Sequence, residues 1–284
     1  MDGRSDGTVN AQVGQHELLR EVGRGTQGAV YLARKPGDDR ILALKLVRLP
    51  STQPQDAAAL QFTAAAKAAC SLHHVGIIQV FEFGLDGPWG WIAMEPVAGT
   101  DLSRYTTPAR LLPEALVLDI GARLAEALAY AHRQGVVHRD VKPANVLVNW
   151  ALAEVKLSDF GLARGAWAAN TGTGVVPGSP AYMAPEQLAG LVPGAPADLY
   201  ALGVTLFELL CGRRPHEAQS MGELLRQVAQ ERAPSLLETR PGLPSAVSEL
   251  VARLLRKTAA ERPTDGDAVA LELRQLAAAI RPAV

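Results

Sequence analysis

Asp140, Lys142 and Asn145 share one short segment, His138-Arg139-Asp140-Val141-Lys142-Pro143-Ala144-Asn145, and Asp159-Phe160-Gly161 follows at short range. Together they supply a carboxylate that can hold an attacking hydroxyl, a lysine, and an Asp/Asn oxygen pair suited to a hard cation such as Mg²⁺. Phosphoryl transfer needs that combination: an orienting group fixes the nucleophile while a cation neutralises charge growing on the phosphates. A lone Asp in a loop is ordinarily a solvated residue or a helix cap. The order and spacing of the whole set point to chemistry instead.

A second set lies nearer the N-terminus, where Gly23-Arg24-Gly25-Thr26-Gln27-Gly28-Ala29-Val30 has the form G-x-G-x-x-G-x-V. Glycines let a backbone come close to phosphates and tolerate positive φ. A dinucleotide-binding turn would require a helix directly after the glycines, but Val30-Tyr31-Leu32-Ala33 reads as strand. A Walker-type loop would end in Gly-Lys-Ser/Thr, which is absent. A plain hairpin turn is the remaining alternative. It loses ground because a lysine follows on the next strand, in Ala43-Leu44-Lys45.

These residues need elements to hold them. After a polar tail over residues 1–13, residues 14–94 alternate in a strand-like way, with one alanine-rich helix between Asp56 and Leu72. Ile41–Val47, Ile77–Phe83 and Trp89–Met94 read as strands, the last two joined across Asp86-Gly87-Pro88. Beyond Asp101 the period changes. Leu116, Ile120, Leu124 and Leu128 recur every four residues from Pro113 until Gly135. Further helices are expected at Pro196–Cys211, Met221–Gln230, Ala246–Arg256 and Gly266–Ile280. A small sheet-rich lobe thus precedes a larger helical one (98–280), with a seam at Glu95-Pro96-Val97 (95–97), and ligand sites favour such seams.

Bulk properties exclude several classes. The 284 residues are 48% hydrophobic and 20% charged with a formal net charge of −1, so no electrostatic argument favours nucleic acid or an anionic membrane. The two cysteines, Cys70 and Cys211, lie far apart, which fits a reducing, cytoplasmic compartment rather than a disulfide framework. Met1 to Asn10 lacks the apolar core of a secretory signal. The most apolar run, Leu199 to Cys211, is too short to span a bilayer and carries Glu208, so a buried helix is expected and no membrane segment.

In combination these motifs resemble the eukaryotic-like (Hanks-type) bacterial serine/threonine protein kinases, whose catalytic loop reads H-R-D-x-x-x-x-N and whose metal-binding turn reads D-F-G. Gly178-Ser179-Pro180-Ala181-Tyr182-Met183-Ala184-Pro185-Glu186 resembles their substrate-binding segment, which small-molecule kinases generally lack. The resemblance covers about His16 to Ile280. It implies an α+β bilobal fold, with a small antiparallel-sheet lobe carrying one helix and a larger helical lobe. It also implies ATP and Mg²⁺ as cofactors and Ser/Thr hydroxyls of proteins, this chain's own included, as acceptors. Asp140 would orient the hydroxyl, Lys142 steady the transferring phosphate, and Asn145 and Asp159 hold Mg²⁺. Lys45 would contact the α- and β-phosphates. Val22, Gly23, Gly25, Gly28, Val30, Ala43, Glu95, Val97 and Leu147 would line the ATP site, with backbone hydrogen bonds to adenine from Glu95 and Val97. In this family His138 packs structurally, and Asp198 and Arg262 are structural anchors, the latter paired with Glu186. Thr171 and Thr173 would be phosphosites, a phosphate there pairing with Arg139.

The chain departs from the family on one helix. Active kinases hold the phosphate-binding lysine with a glutamate from the small-lobe helix. Counting between Phe62 and Leu72-His73-His74-Val75 puts that position at Ala65, and Ala57 to Ser71 contains no acidic residue. Four residues on, a bulky apolar side chain is replaced by Ala69. Misplacing a catalytic group by about 1 Å can cost roughly 10²-fold in rate. Two readings follow: a kinase in which another acid, Asp159 being the natural candidate, reaches Lys45, or a pseudokinase that signals by contact. A homodimer through the small lobe is a further route to align a helix without its glutamate.

Overall fold

The computed structural model describes residues 11–25, 28–49, 55–160 and 179–280. Among the described residues the small lobe is one antiparallel sheet and one helix. Its strands are β1 (Ala11–Val13), β2 (His16–Gly25), β3 (Gly28–Arg34), β4 (Leu42–Arg48), β5 (Val80–Asp86) and β6 (Trp89–Met94), in the order β1-β2-β3-β4-β6-β5. Helix α1 (Gln55–Cys70) joins β4 to β5. The first strand takes the last three residues of the stretch expected to be a loose tail, pairing Ala11 with Leu18 and Val13 with His16.

Alternation sorts the side chains. Leu18, Tyr31, Ala33, Leu42, Leu44, Trp91 and Ala93 pack together on one face. Ala43, Ile92, Met94 and Val80 join Phe62, Ala66 and Ala69 of α1 in the main core. Phe62 is what seats the helix: a Cβ at Gly90 of β6 would lie 2.6 Å from its ring, so only glycine admits that contact. Burying an aromatic ring of this kind is worth about 3–5 kcal/mol. The strand expected from Ile77 begins instead at Val80. Ile77 and Ile78 are drawn off to the large lobe, where Ile78 N–H donates to Leu157 O at 3.0 Å and Leu157 N–H to Gly76 O at 2.8 Å.

The large lobe carries a second sheet of three short strands, β7 (Thr100–Asp101), β8 (Val146–Asn149) and β9 (Glu154–Leu157). Its helices are α2 (Glu114–Arg133), α3 (Pro185–Leu188), α4 (Ala195–Cys211), α5 (Met221–Gln230), α6 (Leu236–Thr239), α7 (Ser245–Leu254) and α8 (Gly266–Ile280). Every residue of α4 from Ala197 to Cys211 is buried, which explains why apolar residues occupy all its faces. Glu208 within it accepts a hydrogen bond from Tyr182 Oη at 2.5 Å, and burial holds its carboxyl above the usual range. Arg262 pairs with Glu186 at 2.7 and 2.8 Å, as expected, and also donates to the carbonyls of Arg256, Lys257 and Pro196. Among the described residues no helix is long and apolar enough to cross a membrane.

One buried cluster makes stability depend on pH. Lys257 Nζ lies 3.1 Å from His216 Nε2 and donates to Val228 O at 2.7 Å, at the end of α5. Burial, reinforced by the Lys257 charge and opposed by Glu231, pushes His216 down to about 4 from 6.5. The unfolded chain therefore binds more protons than the folded one between those values, and stability falls as pH falls through that window. Acidification from pH 6.5 to 4.5 is expected to remove about 2 kcal/mol through this residue. Urea unfolding at the two pH values, compared between wild type and His216→Gln, measures that share.

Candidate active site

Strand register assembles the nucleotide end. Lys45 on β4 lies directly opposite Val30 on β3 and Ile92 on β6, and Ala43, two residues earlier, lies opposite Met94. Val30 in turn lies opposite Gly23. These side chains share one face, and half-buried Val30, Val97 and Leu147 pack against the same core as Ala43. Val22 is exposed. The three glycines differ in what demands them. A Cβ at Gly23 or Gly25 would meet nothing within 4 Å, leaving room for a ligand. At Gly28, with φ +145°, it would sit 1.8 Å from Leu46 O, so the approach of β4 requires glycine there. At the seam, Glu95 N–H is spent on Gln79 O at 2.9 Å, which leaves the Glu95 carbonyl as the backbone group for a base.

The catalytic segment is shaped by a carboxylate beneath it. Asp198, fully buried in the first turn of α4, accepts from His138 N–H at 2.8 Å, Arg139 N–H at 2.7 Å and His132 Nε2 at 2.8 Å. Those bonds hold Arg139 at φ 71°, a left-handed backbone that a non-glycine residue adopts only when its surroundings impose it. His138 is buried and packs edge-on against Phe160, with ring centroids 4.5 Å apart. Its Nδ1 accepts from Asp140 N–H at 3.2 Å, so Nε2 carries the proton and donates to Ser158 O at 2.7 Å. The ring is thus a strut between the catalytic loop and the metal-binding turn.

Above this strut the functional groups converge. Lys142 Nζ donates to Asp140 Oδ2 at 2.6 Å and to Ser179 Oγ at 3.0 Å. Asn145 Nδ2 donates to Asp140 O at 2.7 Å and Oδ2 at 3.0 Å. With its N–H₂ committed in this way, Asn145 keeps its amide oxygen as the group a hard cation could use. Asp159, at φ 67°, places Oδ1 2.7 Å from Lys45 Nζ, with both side chains largely buried. The all-oxygen character of Asn145 and Asp159 fits Mg²⁺. Thr171, Thr173, Gly161 and Gly178 lie outside the described residues.

Ala65 and Ala69 are both buried on α1. Of the two, Ala69 lines a small cavity of about 20 Å³ beside Lys45. It is lined by Ala69, Ile77, Ile78, Val80, Ile92, Met94, Asp159 and Phe160. Sequence reasoning did not single out Ser179 as a partner of Lys142, nor Lys156, whose Nζ lies 2.8 Å from Glu95 Oε1. Ser179 carried a motif signal; Lys156 sits in a strand of four residues and carried none.

The fold and this constellation identify the class. A family model described as the protein kinase domain matches residues 16–275, and the chain belongs to that family. It is similar to the serine/threonine-protein kinase PrkC of Bacillus subtilis, 33% identical over 245 residues, covering 86% of this chain and 38% of the relative. PknJ of Mycobacterium tuberculosis is 38% identical over 256 residues, with 88% and 43% covered. Pkn3 of Myxococcus xanthus is 36% identical over 265 residues, with 89% and 48% covered. The chain therefore spans less than half the length of these curated relatives. The crystal structure of the Mycobacterium tuberculosis PknI kinase domain superposes with a TM-score of 0.77 at 29% identity, covering 94% of this chain and 98% of that one. The Hanks-type resemblance and the bilobal α+β fold read from the motifs both hold.

Asp198→Asn turns an amide N–H₂ toward at least one of three donors and discards the charge that strengthened all three bonds. It is expected to destabilise the protein by about 3 kcal/mol. Asp267→Asn, which removes an exposed pair with Arg133, should cost under about 1 kcal/mol. Equal losses in denaturant titrations of the two variants would show that Asp198 does not carry the loop.

Proposed function

We propose that this chain is an ATP- and Mg²⁺-dependent serine/threonine protein kinase that transfers the γ-phosphate to hydroxyls of proteins, itself included. The observation that carries this reading is the 2.7 Å pair between Lys45 and Asp159. The lysine that lacks a glutamate on α1 is held by a carboxylate from the metal-binding turn, inside the site rather than beside it. That supplies the orientation whose loss would favour a pseudokinase.

In this reading Asp140 orients the acceptor hydroxyl, and Lys142, already bridging Asp140 and a serine hydroxyl, steadies the transferring phosphate. Lys45 meets the α- and β-phosphates beside Gly23, Gly25 and Gly28. Val30, Ala43 and Leu147 enclose the adenine, with Val22 at the rim. The Glu95 carbonyl and Val97 N–H take its edge. Asn145 and Asp159 hold Mg²⁺, which supplies the positive charge that phosphoryl transfer demands. Thr171 and Thr173 are the phosphosites, answering to Arg139. The compartment is cytoplasmic, nucleic acid is not a partner, and a second copy meets the small lobe, where Leu60 of α1 is exposed.

Transfer of labelled phosphate from ATP with Mg²⁺, to the chain itself and to a basic protein, tests this. Lys45→Met and Asp140→Asn are each expected to lower the rate by about 10²–10⁴-fold. Ala65→Glu, which offers Lys45 a second carboxylate, should raise it. Wild-type label no higher than that of Asp140→Asn, with nucleotide binding intact, would make the chain a pseudokinase.

A further inference from the structure

Lys156 has no place in the set above, yet it joins three parts of the molecule. Its Nζ lies 2.8 and 3.0 Å from the two carboxylate oxygens of Glu95, at the seam, and both side chains are mostly buried. The same carboxylate accepts from Gln79 N–H at 2.7 Å, and Glu95 N–H donates back to Gln79 O at 2.9 Å. Gln79 ends the connector that leaves α1, and that connector is bonded to β9 through Ile78 N–H to Leu157 O and Leu157 N–H to Gly76 O. Lys156 is the residue before Leu157 and sits directly opposite Leu147 on β8. Opposed residues of an antiparallel pair project from one face, so the Lys156 stem runs beside the residue assigned to the adenine floor.

We propose that Lys156 is a positioning residue for nucleotide: it closes a clasp of Glu95, Gln79 and β9 that fixes the seam backbone and the connector after α1 together. The inference rests on the kinase reading and extends it to a residue that touches no substrate. Its physical basis is the missing glutamate. With Ala65 in place of the glutamate, the middle of α1 offers Lys45 no carboxylate. Beyond the packing of Phe62 on Gly90, what ties α1 to this region is the connector that follows it, Gly76 to Gln79, bonded to Leu157, two residues before Asp159, and to Glu95. A carboxylate as buried as Glu95 keeps that geometry only while its charge is met. Removing the ammonium group would let Glu95 turn toward water, releasing Gln79 and shifting the carbonyl and N–H that receive the base.

The test compares wild type, Lys156→Met, which keeps an unbranched stem without the charge, and Lys156→Arg, which restores a cation. Calorimetry gives the Kd for ATP with Mg²⁺, hydrogen exchange of the nucleotide-free protein follows residues 76–79 and 95–97, and thermal melts control for global damage. Lys156→Met is expected to weaken ATP by about tenfold through lost preorganisation. Exchange should quicken at those two segments alone, with a near-native melting point, and Lys156→Arg should recover most of both. Unchanged exchange and affinity in Lys156→Met would overturn the proposal. So would a loss that Lys156→Arg fails to restore, or faster exchange spread over the whole chain, since either marks a merely structural lysine. Wild type that binds no ATP would defeat the kinase reading instead, and the local exchange pattern would still decide the clasp.

Discussion

The buried carboxylate of Asp198 is the constraint from which the catalytic geometry descends. It meets two successive backbone N–H groups and one imidazole, so it fixes the direction of the chain at His138 and Arg139 rather than the place of any one side chain. From there the order propagates. His138 braces the metal-binding turn through Ser158, Asp140 emerges next to it, and Asn145 and Lys142 both fold back onto Asp140. A charge enclosed in an apolar helix is costly unless fully bonded. The catalytic loop supplies the bonds, so helix and loop need each other.

The small lobe solves a different problem with weaker means. Its helix is rich in alanine, seated mainly by Phe62 on Gly90, and Ala69, which shares a small cavity wall with Lys45 and Phe160, carries only a methyl group. Close packing normally fills such space. Here it is left as a cavity, and the electrostatic task passes to Asp159, which lies on the other lobe's turn. The lysine thereby joins the two lobes directly.

Much of this was legible in the sequence, for identifiable reasons. Long elements with a strong period were read to within a residue or two: α2, α4 and α5 follow from leucine spacing and from Pro and Gly punctuation, and β6 from its flanking turn. The Glu186–Arg262 anchor followed from the family resemblance, and the reach of Asp159 to Lys45 from the absence of an acid between Ala57 and Ser71. What escaped was whatever depends on partners distant in sequence. Strands of four residues such as β8 and β9 have too few positions to show alternation, and β1 exists only because β2 offers it an edge. Ile77 and Ile78 look like strand residues, but Ile78 and Gly76 on either side of Ile77 bond to Leu157 rather than to the sheet, a choice no local pattern announces. Lys156 was invisible for the same reason.

Arg139 and Asp159 both hold left-handed backbone, φ 71° and 67°, though neither is glycine. Each such residue stores on the order of 1 kcal/mol or more, and the helical lobe must keep supplying it. The site is therefore a spring held compressed by its foundation. Because α4 is buried along its length, that strain is released only when the lobe itself opens, and the backbone of the 138–145 loop is set only once this deepest helix has packed.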